Sequence, residues 1–341
     1  MRAVVSGGAG FVGSHLCERL VADGWEVLVL DNLVTGKHEN IAHLLGARLS
    51  FRLHDVEEPW PDLRGQDVDA VFHLACPASP VAYQRNASKT LLTAVLGTLN
   101  AISLACAYDA RCVVASTSEV YGDPQENPQR EEYWGHVNPV GPRSMYDEGK
   151  RAAEALCAAW WALPGVDVRL ARIFNTYGPR MARDDGRLLP NLITQALAGA
   201  PLTVYGDGSQ TRSLCYVTDT VEALMRLSEY TPAARDVMPI FNVGNPDERE
   251  IAAIARDVLT LVLAGADPAF AALSGYEYDT EKAKRVAGRI EHRGLPVDDP
   301  KRRCPDITRA RLHLGNWSPR VGYFEGLKAT IEWFKAEGAK R

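Results

Sequence analysis

Tyr146 and Lys150 stand four residues apart inside Met145 to Leu163, a stretch whose pattern predicts a helix, so both side chains project from one face. A phenol with a pKa near ~10 is a poor base at neutral pH, and an ammonium beside it favours the phenolate. Thr117 lies in Ser116-Thr117-Ser118-Glu119, just past a predicted strand, where its hydroxyl can hydrogen-bond the oxygen that Tyr146 deprotonates. Glu119 shares that strand end; it could assist proton transfer at a neighbouring carbon or simply meet water at the surface. Thr117, Glu119, Tyr146 and Lys150 thus form a candidate catalytic set for removing a proton from an alcohol. A Tyr–Lys pair alone is common on protein surfaces, so the set depends on its surroundings.

Those surroundings begin with Gly7-Gly8-Ala9-Gly10-Phe11-Val12-Gly13, which follows the first strand and opens the first helix. Gly7 permits a tight turn, Gly10 lets the backbone approach a pyrophosphate, and Gly13 lets helix and strand pack closely. The helix N-terminus at Phe11, Val12 and Gly13 then offers free N–H groups and a positive dipole end. Asp31 stands at the end of the second strand, where a carboxylate can accept from adenosine ribose hydroxyls and repel a 2′-phosphate, favouring NAD over NADP. The plainer reading of Asp31 is a turn acid starting Asp31-Asn32. Asp55-Val56 and Leu74-Ala75 sit at carboxyl ends of later strands, where open α/β sheets bind ligands. Lys150 could also bind the cofactor ribose, and an oxidised nicotinamide would add to its effect on Tyr146.

The elements that must position these residues alternate. Strands are predicted at Val4-Val5, Trp25 to Leu30, Phe51 to His54, Ala70 to Ala75, Cys112 to Ala115 and Val166 to Ile173. Helices are predicted at Phe11 to Ala22, Thr90 to Tyr108 and Met145 to Leu163. This is the pattern of an α/β protein: a Rossmann-type doubly wound parallel sheet with a smaller C-terminal substrate-binding lobe. Residues 1–175 form the predicted NAD-binding part, with a strand near 240–243 returning to it, and 176–341 mainly the lobe. Helices are expected near 219–230, 249–264, 306–315 and 323–338. The stretch 265–295 is polar with Ala-rich parts and resists assignment; an insertion is one reading.

The 341 residues are 46% hydrophobic and 24% charged, which excludes wholesale disorder. A formal net charge of −5 gives no reason to expect a nucleic-acid partner; an anionic ligand needs a local arginine cluster instead. Arg180, Arg187, Arg212, Arg302 and Arg303 lie in Gly-rich or loop contexts suited to phosphate. The seven cysteines form no C-x-x-C pair, so reduced thiols are expected rather than disulfides or a metal site. With a strand starting at once and no uninterrupted apolar run of membrane length, a soluble, cytoplasmic protein is expected, without a membrane partner.

The segments GGAGFVGSHL, LDNLVTGKHEN, HLACPASP, ASTSEVYGDPQENPQ, EEYWGHVNPVGPRSMYDEGKR, ARIFNTYGPRM, PLTVYGDGSQTRSLCYV and DDPKRRCPDIT together resemble the UDP-glucuronic acid decarboxylases of the extended short-chain dehydrogenase/reductase family. The resemblance covers residues 1–250 and 295–338. It implies NAD as cofactor and a UDP-sugar as substrate, with Asn32, Thr35 and Gly36 joining the cofactor site. It also implies that Asn175, Arg187 and Arg212 contact the nucleotide-sugar diphosphate, that Arg303 lies near the sugar carboxylate, and that Val204 and Tyr205 lie beside the uracil. The related dTDP-glucose dehydratases carry an acid where this chain has Ser118. Fold analogy adds a homodimer through helices 90–108 and 145–163, although their apolar faces could equally be core.

Two departures stand out. Leu92 replaces a Lys expected near the substrate, and Ala94 replaces an Asn beside the site, so weaker carboxylate binding and some escape of a UDP-4-keto-pentose are expected. The alternatives are another nucleotide-sugar epimerase or dehydratase, or a non-catalytic NAD-binding sensor; the latter has no need of Thr117, Tyr146 and Lys150 together.

Overall fold

The computed structural model describes residues 1–264 and 289–339. Its main sheet has seven parallel strands: β1 (Arg2–Ser6), β2 (Glu26–Asp31), β3 (Leu49–Leu53), β4 (Ala70–His73), β5 (Arg111–Thr117), β6 (Val168–Ile173) and, late in the chain, β7 (Ile240–Val243). Their spatial order is β7-β6-β5-β4-β1-β2-β3, so the winding direction reverses between β1 and β4. A crevice at such a reversal, outside the carboxyl strand ends, is where doubly wound sheets bind ligands.

The central strands are buried on both faces, and their side chains alternate between two cores. Val5, Phe72 and Val113 join the layer with Leu16, Leu20 and Leu224. Their neighbours Val4, Val71 and Val114 join the opposite layer with Ile102, Ala105 and Trp161. The first layer is covered by α1 (Phe11–Ala22) and α6 (Val217–Glu229), the second by α3 (Ala87–Ala107) and α4 (Ser144–Trp161). A third cluster, including Leu192, Val204, Val258 and Phe334, belongs to the later part of the chain.

Strand and helix bounds differ from expectation by a few residues. β4 ends at His73 because Leu74 and Ala75 turn against Gly7: a Cβ on Gly7 would lie 2.7 Å from the Ala75 nitrogen. Two helices were not expected. α2 (Pro80–Arg85) starts from a Ser79 cap with proline in its first turn. α5 (Leu188–Leu197) carries Pro190 as its third residue, where the missing N–H has no intrahelical partner to lose, so a residue that reads as a breaker is tolerated. A short strand, Leu202–Tyr205, pairs in parallel with Ile290–Arg293, so the end of the hard-to-read stretch is a strand; 265–288 lies outside the described residues.

The stretch Ala87–Ala107 is, by length and composition, apolar enough to cross a membrane, with a mean hydropathy of 1.7 in its best window. Counting uninterrupted apolar runs misses it because Thr, Ser, Asn and Gly punctuate it. Half of that window is buried within the fold.

Candidate active site

The glycine turn and α1 form a cradle that fits a dinucleotide. Gly7 has φ +73°, and a Cβ on Gly13 would lie 2.1 Å from the Gly7 carbonyl oxygen, so both positions require glycine. No side chain caps α1 at Gly10. The first-turn N–H groups of Phe11, Val12 and Gly13 therefore remain for an anion. The Asp31 carboxylate accepts from Ala9 N at 3.0 Å and Leu33 N at 2.8 Å. Burial pushes its pKa up, against the pull of those two donors. A Cβ on Gly36 would lie 2.9 Å from both Asp31 oxygens, so glycine keeps this carboxylate approachable; Thr35 beside it is exposed. Asn32 donates to Asp55 at 3.3 Å, and Asp55 also accepts from Lys89 Nζ at 2.6 Å. Val56 is buried one residue on. Asp31, Asp55, Leu74 and Ala75 all sit at or just past the carboxyl ends of neighbouring strands.

Thr117 ends β5, and its hydroxyl accepts from Glu119 N at 3.2 Å. Tyr146 and Lys150 are both buried on α4. A hydrogen bond with Thr117 pulls the Tyr146 phenol down, but burial outweighs it and pushes the phenol far up. Lys150 is not among the groups that dominate that shift; its Nζ donates to the Ala115 carbonyl at 2.7 Å, which places its ammonium at the end of β5. The Tyr83 ring stacks on Tyr146 at 5.2 Å between centroids, which fixes the plane of the phenol.

Glu119 is held between two guanidiniums. Arg303 Nη1 lies 2.7 Å from one of its oxygens and donates to the Ser118 hydroxyl at 2.9 Å, while Arg143 grips the other oxygen. Burial would raise the Glu119 pKa, but Arg303 and Arg143 hold it well below the usual carboxylate range. Asp147, beside Tyr146, is pushed the other way by burial and by the Glu119 charge. Arg212 Nη2 donates to Asp299 at 2.9 Å, and Asp299 lies 3.8 Å from Arg143. One connected network therefore joins Arg143, Arg212 and Arg303 to Glu119, Asp147 and Asp299.

The other expected residues divide. Arg187 donates to Asp185 at 2.5 Å and interacts electrostatically with Tyr146, which brings it to the site. Asn175 is half-buried and its carbonyl accepts from Cys215 N at 2.9 Å. Tyr205 is exposed, whereas the Val204 side chain is fully buried in the third core cluster, leaving only its backbone for a ligand. Arg180 turns to Glu18 on α1, and Arg302 pairs with Glu248 at the surface. Leu92 is exposed on α3. Ala94 is fully buried under α4, with Gly149 against it. Arg143, Asp147, Asp299 and Tyr83 were missed, and Ser118 was read only for the acid it replaces. The spacing Arg143-x-x-Tyr146 was the available signal, since it places the arginine one turn before the phenol.

Residues 3–244 match the NAD dependent epimerase/dehydratase family. The chain belongs to that family. Among its epimerase/dehydratase relatives, UDP-glucuronic acid decarboxylase 1 of Xenopus tropicalis is 48% identical over 338 residues, 98% of this chain and 72% of that protein. UDP-glucuronic acid decarboxylase 4 of Arabidopsis thaliana is 48% identical over 336 residues, 98% of this chain and 69% of that one. The family fold recurs in the UDP-glucuronic acid 4-epimerase of Bacillus cereus, solved with UDP-glucuronic acid and NAD, with a TM-score of 0.80, 25% identity and coverage of 99% of this chain and 100% of that one. It recurs also in the dTDP-glucose 4,6-dehydratase DesIV of Streptomyces venezuelae, solved with NAD, with a TM-score of 0.81, 27% identity and coverage of 100% and 98%.

Proposed function

We propose that this chain converts UDP-glucuronate to UDP-xylose and carbon dioxide, with NAD as a recycled redox cofactor. The observation that carries the reading is the Ser118–Glu119–Arg303 cluster. Where elimination of a 6-hydroxyl would need an acid, the site offers a serine tied to a guanidinium suited to a carboxylate. The relatives named as UDP-glucuronic acid decarboxylases add support over nearly the whole chain.

When bound in the cradle, NAD supplies the redox chemistry, taking a hydride from C4 and returning it there at the end. Burial favours the neutral phenol, and the positive charge of oxidised NAD would counter it together with the Lys150 ammonium; as the phenolate, Tyr146 takes the 4-hydroxyl proton, and Thr117 donates to that oxygen. The resulting 4-ketone is β to the C6 carboxylate. Its C5–C6 bond breaks, carbon dioxide leaves, and the electron pair passes into the C5–C4–O4 enolate, which Thr117 and Tyr146 stabilise. Glu119 stays ionised at neutral pH because of its two guanidiniums, so its role is to orient a water that protonates C5 rather than to give up a proton of its own. Tyr146 returns its proton to O4 as the ketone is reduced. Arg187 and Arg212 take the diphosphate, with Asn175, the Val204 backbone and Tyr205 beside the rest of the nucleotide.

The deciding experiment is incubation of the NAD-loaded enzyme with UDP-glucuronate, reading carbon dioxide release and the sugar product by NMR. UDP-xylose is the expected product; an intact substrate would sink the reading. We infer in addition that two copies pair through the outer faces of α3 and α4. There Leu92 and Leu96 are exposed on α3, and Ala152, Ala155 and Ala159 are exposed on α4.

A further inference from the structure

Arg143 is the residue before α4, and its carbonyl accepts from Tyr146 N at 3.0 Å and Asp147 N at 3.1 Å, so its backbone starts the helix that carries the base. Its side chain reaches the other way, to Glu119, at the end of β5. The segment leading to Arg143 is docked on the segment that carries Asp299. Asn138 Nδ2 donates to Asp298 at 3.0 Å, and a Cβ on Gly141 would lie 2.3 Å from the same Asp298 oxygen. Asp299 then divides itself between Arg212, at 2.9 Å, and Arg143, at 3.8 Å. Two groups in this network are incompletely bonded: Arg143 Nε and Asp147 Oδ1 are buried without a hydrogen-bond partner. Such atoms are costly in a rigid structure and cheap in one whose pairing changes.

We propose that Arg143 is the positioning residue that aims the Glu119 carboxylate, and that Asp299 ties this aim to Arg212, the arginine assigned to the substrate diphosphate. The proposal rests on the decarboxylase reading above. Arg303 is locked by Ser118 and by the Gly122 carbonyl at 3.0 Å, and its fork meets both Glu119 oxygens, Nη1 at 2.7 Å and Nη2 at 3.2 Å. Arg143 meets the second of those oxygens from another direction, which holds the carboxylate against rocking about the Arg303 fork. A diphosphate arriving at Arg212 competes with Asp299 for that guanidinium. The next cation open to Asp299 is Arg143, through the Nη1 nitrogen that Glu119 does not use, so Asp299 then holds more firmly the guanidinium that aims Glu119. Filling the diphosphate site and fixing Glu119 to orient the C5 proton source are thereby one linked event.

The groups facing Glu119 are Arg143, Tyr146 and Asp147 from α4 and its start, Tyr83 from α2, Ser118 beside it, and Arg303, Asp299 and Arg212 from the later part of the chain. Removing Arg143 takes away one of the two charges that keep Glu119 acidic, so the acid limb of kcat should rise in pH.

The test measures wild type, Arg143→Gln, Arg143→Lys, Asp299→Asn and the Arg143→Gln/Asp299→Asn double variant on UDP-glucuronate, as NAD-loaded enzymes. Arg143→Gln is expected to lower kcat by about ten- to a hundredfold and to move the acid limb up by about a unit, with bound NAD unchanged. Arg143→Lys should restore the limb and only part of kcat, because an ammonium keeps the charge without the planar fork. Asp299→Asn should lower kcat by itself and add nothing to Arg143→Gln, since coupled residues fail additivity. A kcat within twofold of wild type in both Arg143 variants, or a loss that follows Tm or NAD content, overturns the proposal. If Arg143→Gln does not fold, the kcat of Arg143→Lys decides by the same limit. A wild-type enzyme that leaves UDP-glucuronate intact overturns the functional reading and this one with it; wild-type turnover with unaffected variants overturns this one alone.

Discussion

The Ser116 hydroxyl donates to Glu154 at 2.5 Å, and this contact binds the end of β5 to the helix that carries Tyr146 and Lys150. Ser116 precedes Thr117, and Glu154 lies one turn beyond Lys150, so the two halves of the catalytic set are held by one side-chain bond. Arg172 on β6 closes the arrangement. It donates to Glu154 through two nitrogens at 2.9 and 2.6 Å and to the Tyr121 hydroxyl at 2.9 Å, which in turn donates to Asn242 on β7.

Glu154→Gln should therefore cost more than a surface change. It leaves the largely buried Arg172 charge without its anion, and breaking such a pair costs on the order of 3 kcal/mol. The measurement is chemical denaturation of both proteins with NAD bound. Turnover should fall as well, because Thr117 and Tyr146 lose their common anchor; equal stability and equal kcat would show that the ion pair is idle.

Tyr146→Phe removes the proton acceptor and keeps the ring that stacks on Tyr83. NAD content and Tm should stay near wild type while kcat falls by about a thousandfold, the size expected for loss of a positioned acid–base group. Turnover close to wild type would show that another group takes the 4-hydroxyl proton.

The parallel sheet and the dinucleotide cradle were legible because their signals are local. The glycine spacing, Asp31 at a strand end and the alternation of strands with helices each occupy a short window of sequence. The placing of Thr117 and Glu119 at one strand end, and of Tyr146 and Lys150 on one helix, was legible for the same reason. What was not legible depends on long-range charge pairing. Nothing near Glu119 in sequence announces that Arg303, from far along the chain, will hold it ionised, or that Arg143 will complete the grip. That burial pushes the Tyr146 phenol up was not legible, because the spacing of Tyr146 and Lys150 does not show how deeply the phenol lies.

The exposed Leu and Ala stripe on α3 and α4 yields a test of self-association. Ala155→Arg places a charge in the middle of the apolar face without touching the buried side of α4. Light scattering coupled to size exclusion should find two copies for wild type and one for the variant, since burying an unpaired charge at an interface costs several kcal/mol. A monomeric wild type would remove the basis for the pairing.

His73 gives the pH dependence of stability a definite sign. Its ring is fully buried at the end of β4, with Nδ1 on the Ser6 hydroxyl at 2.7 Å, the Trp60 ring 6.1 Å away and Gly97 against it. Burial, reinforced by the Lys150 charge, lowers its pKa from 6.5 to about 3. The folded protein therefore keeps this imidazole neutral where the unfolded chain would protonate it. The stabilisation is fully present above pH 6.5 and is lost as the pH falls toward about 3. Each unit of pH well below the unfolded value removes up to about 1.4 kcal/mol. Glu119 shifts stability in the same direction, while Asp31 and Asp147, whose carboxyls are raised, shift it the opposite way. The comparison that isolates His73 is thus a difference: Tm between pH 7 and 5 for wild type against His73→Gln. The wild-type decline should be the steeper of the two, and equal slopes would mean that the imidazole accepts its proton without leaving the fold.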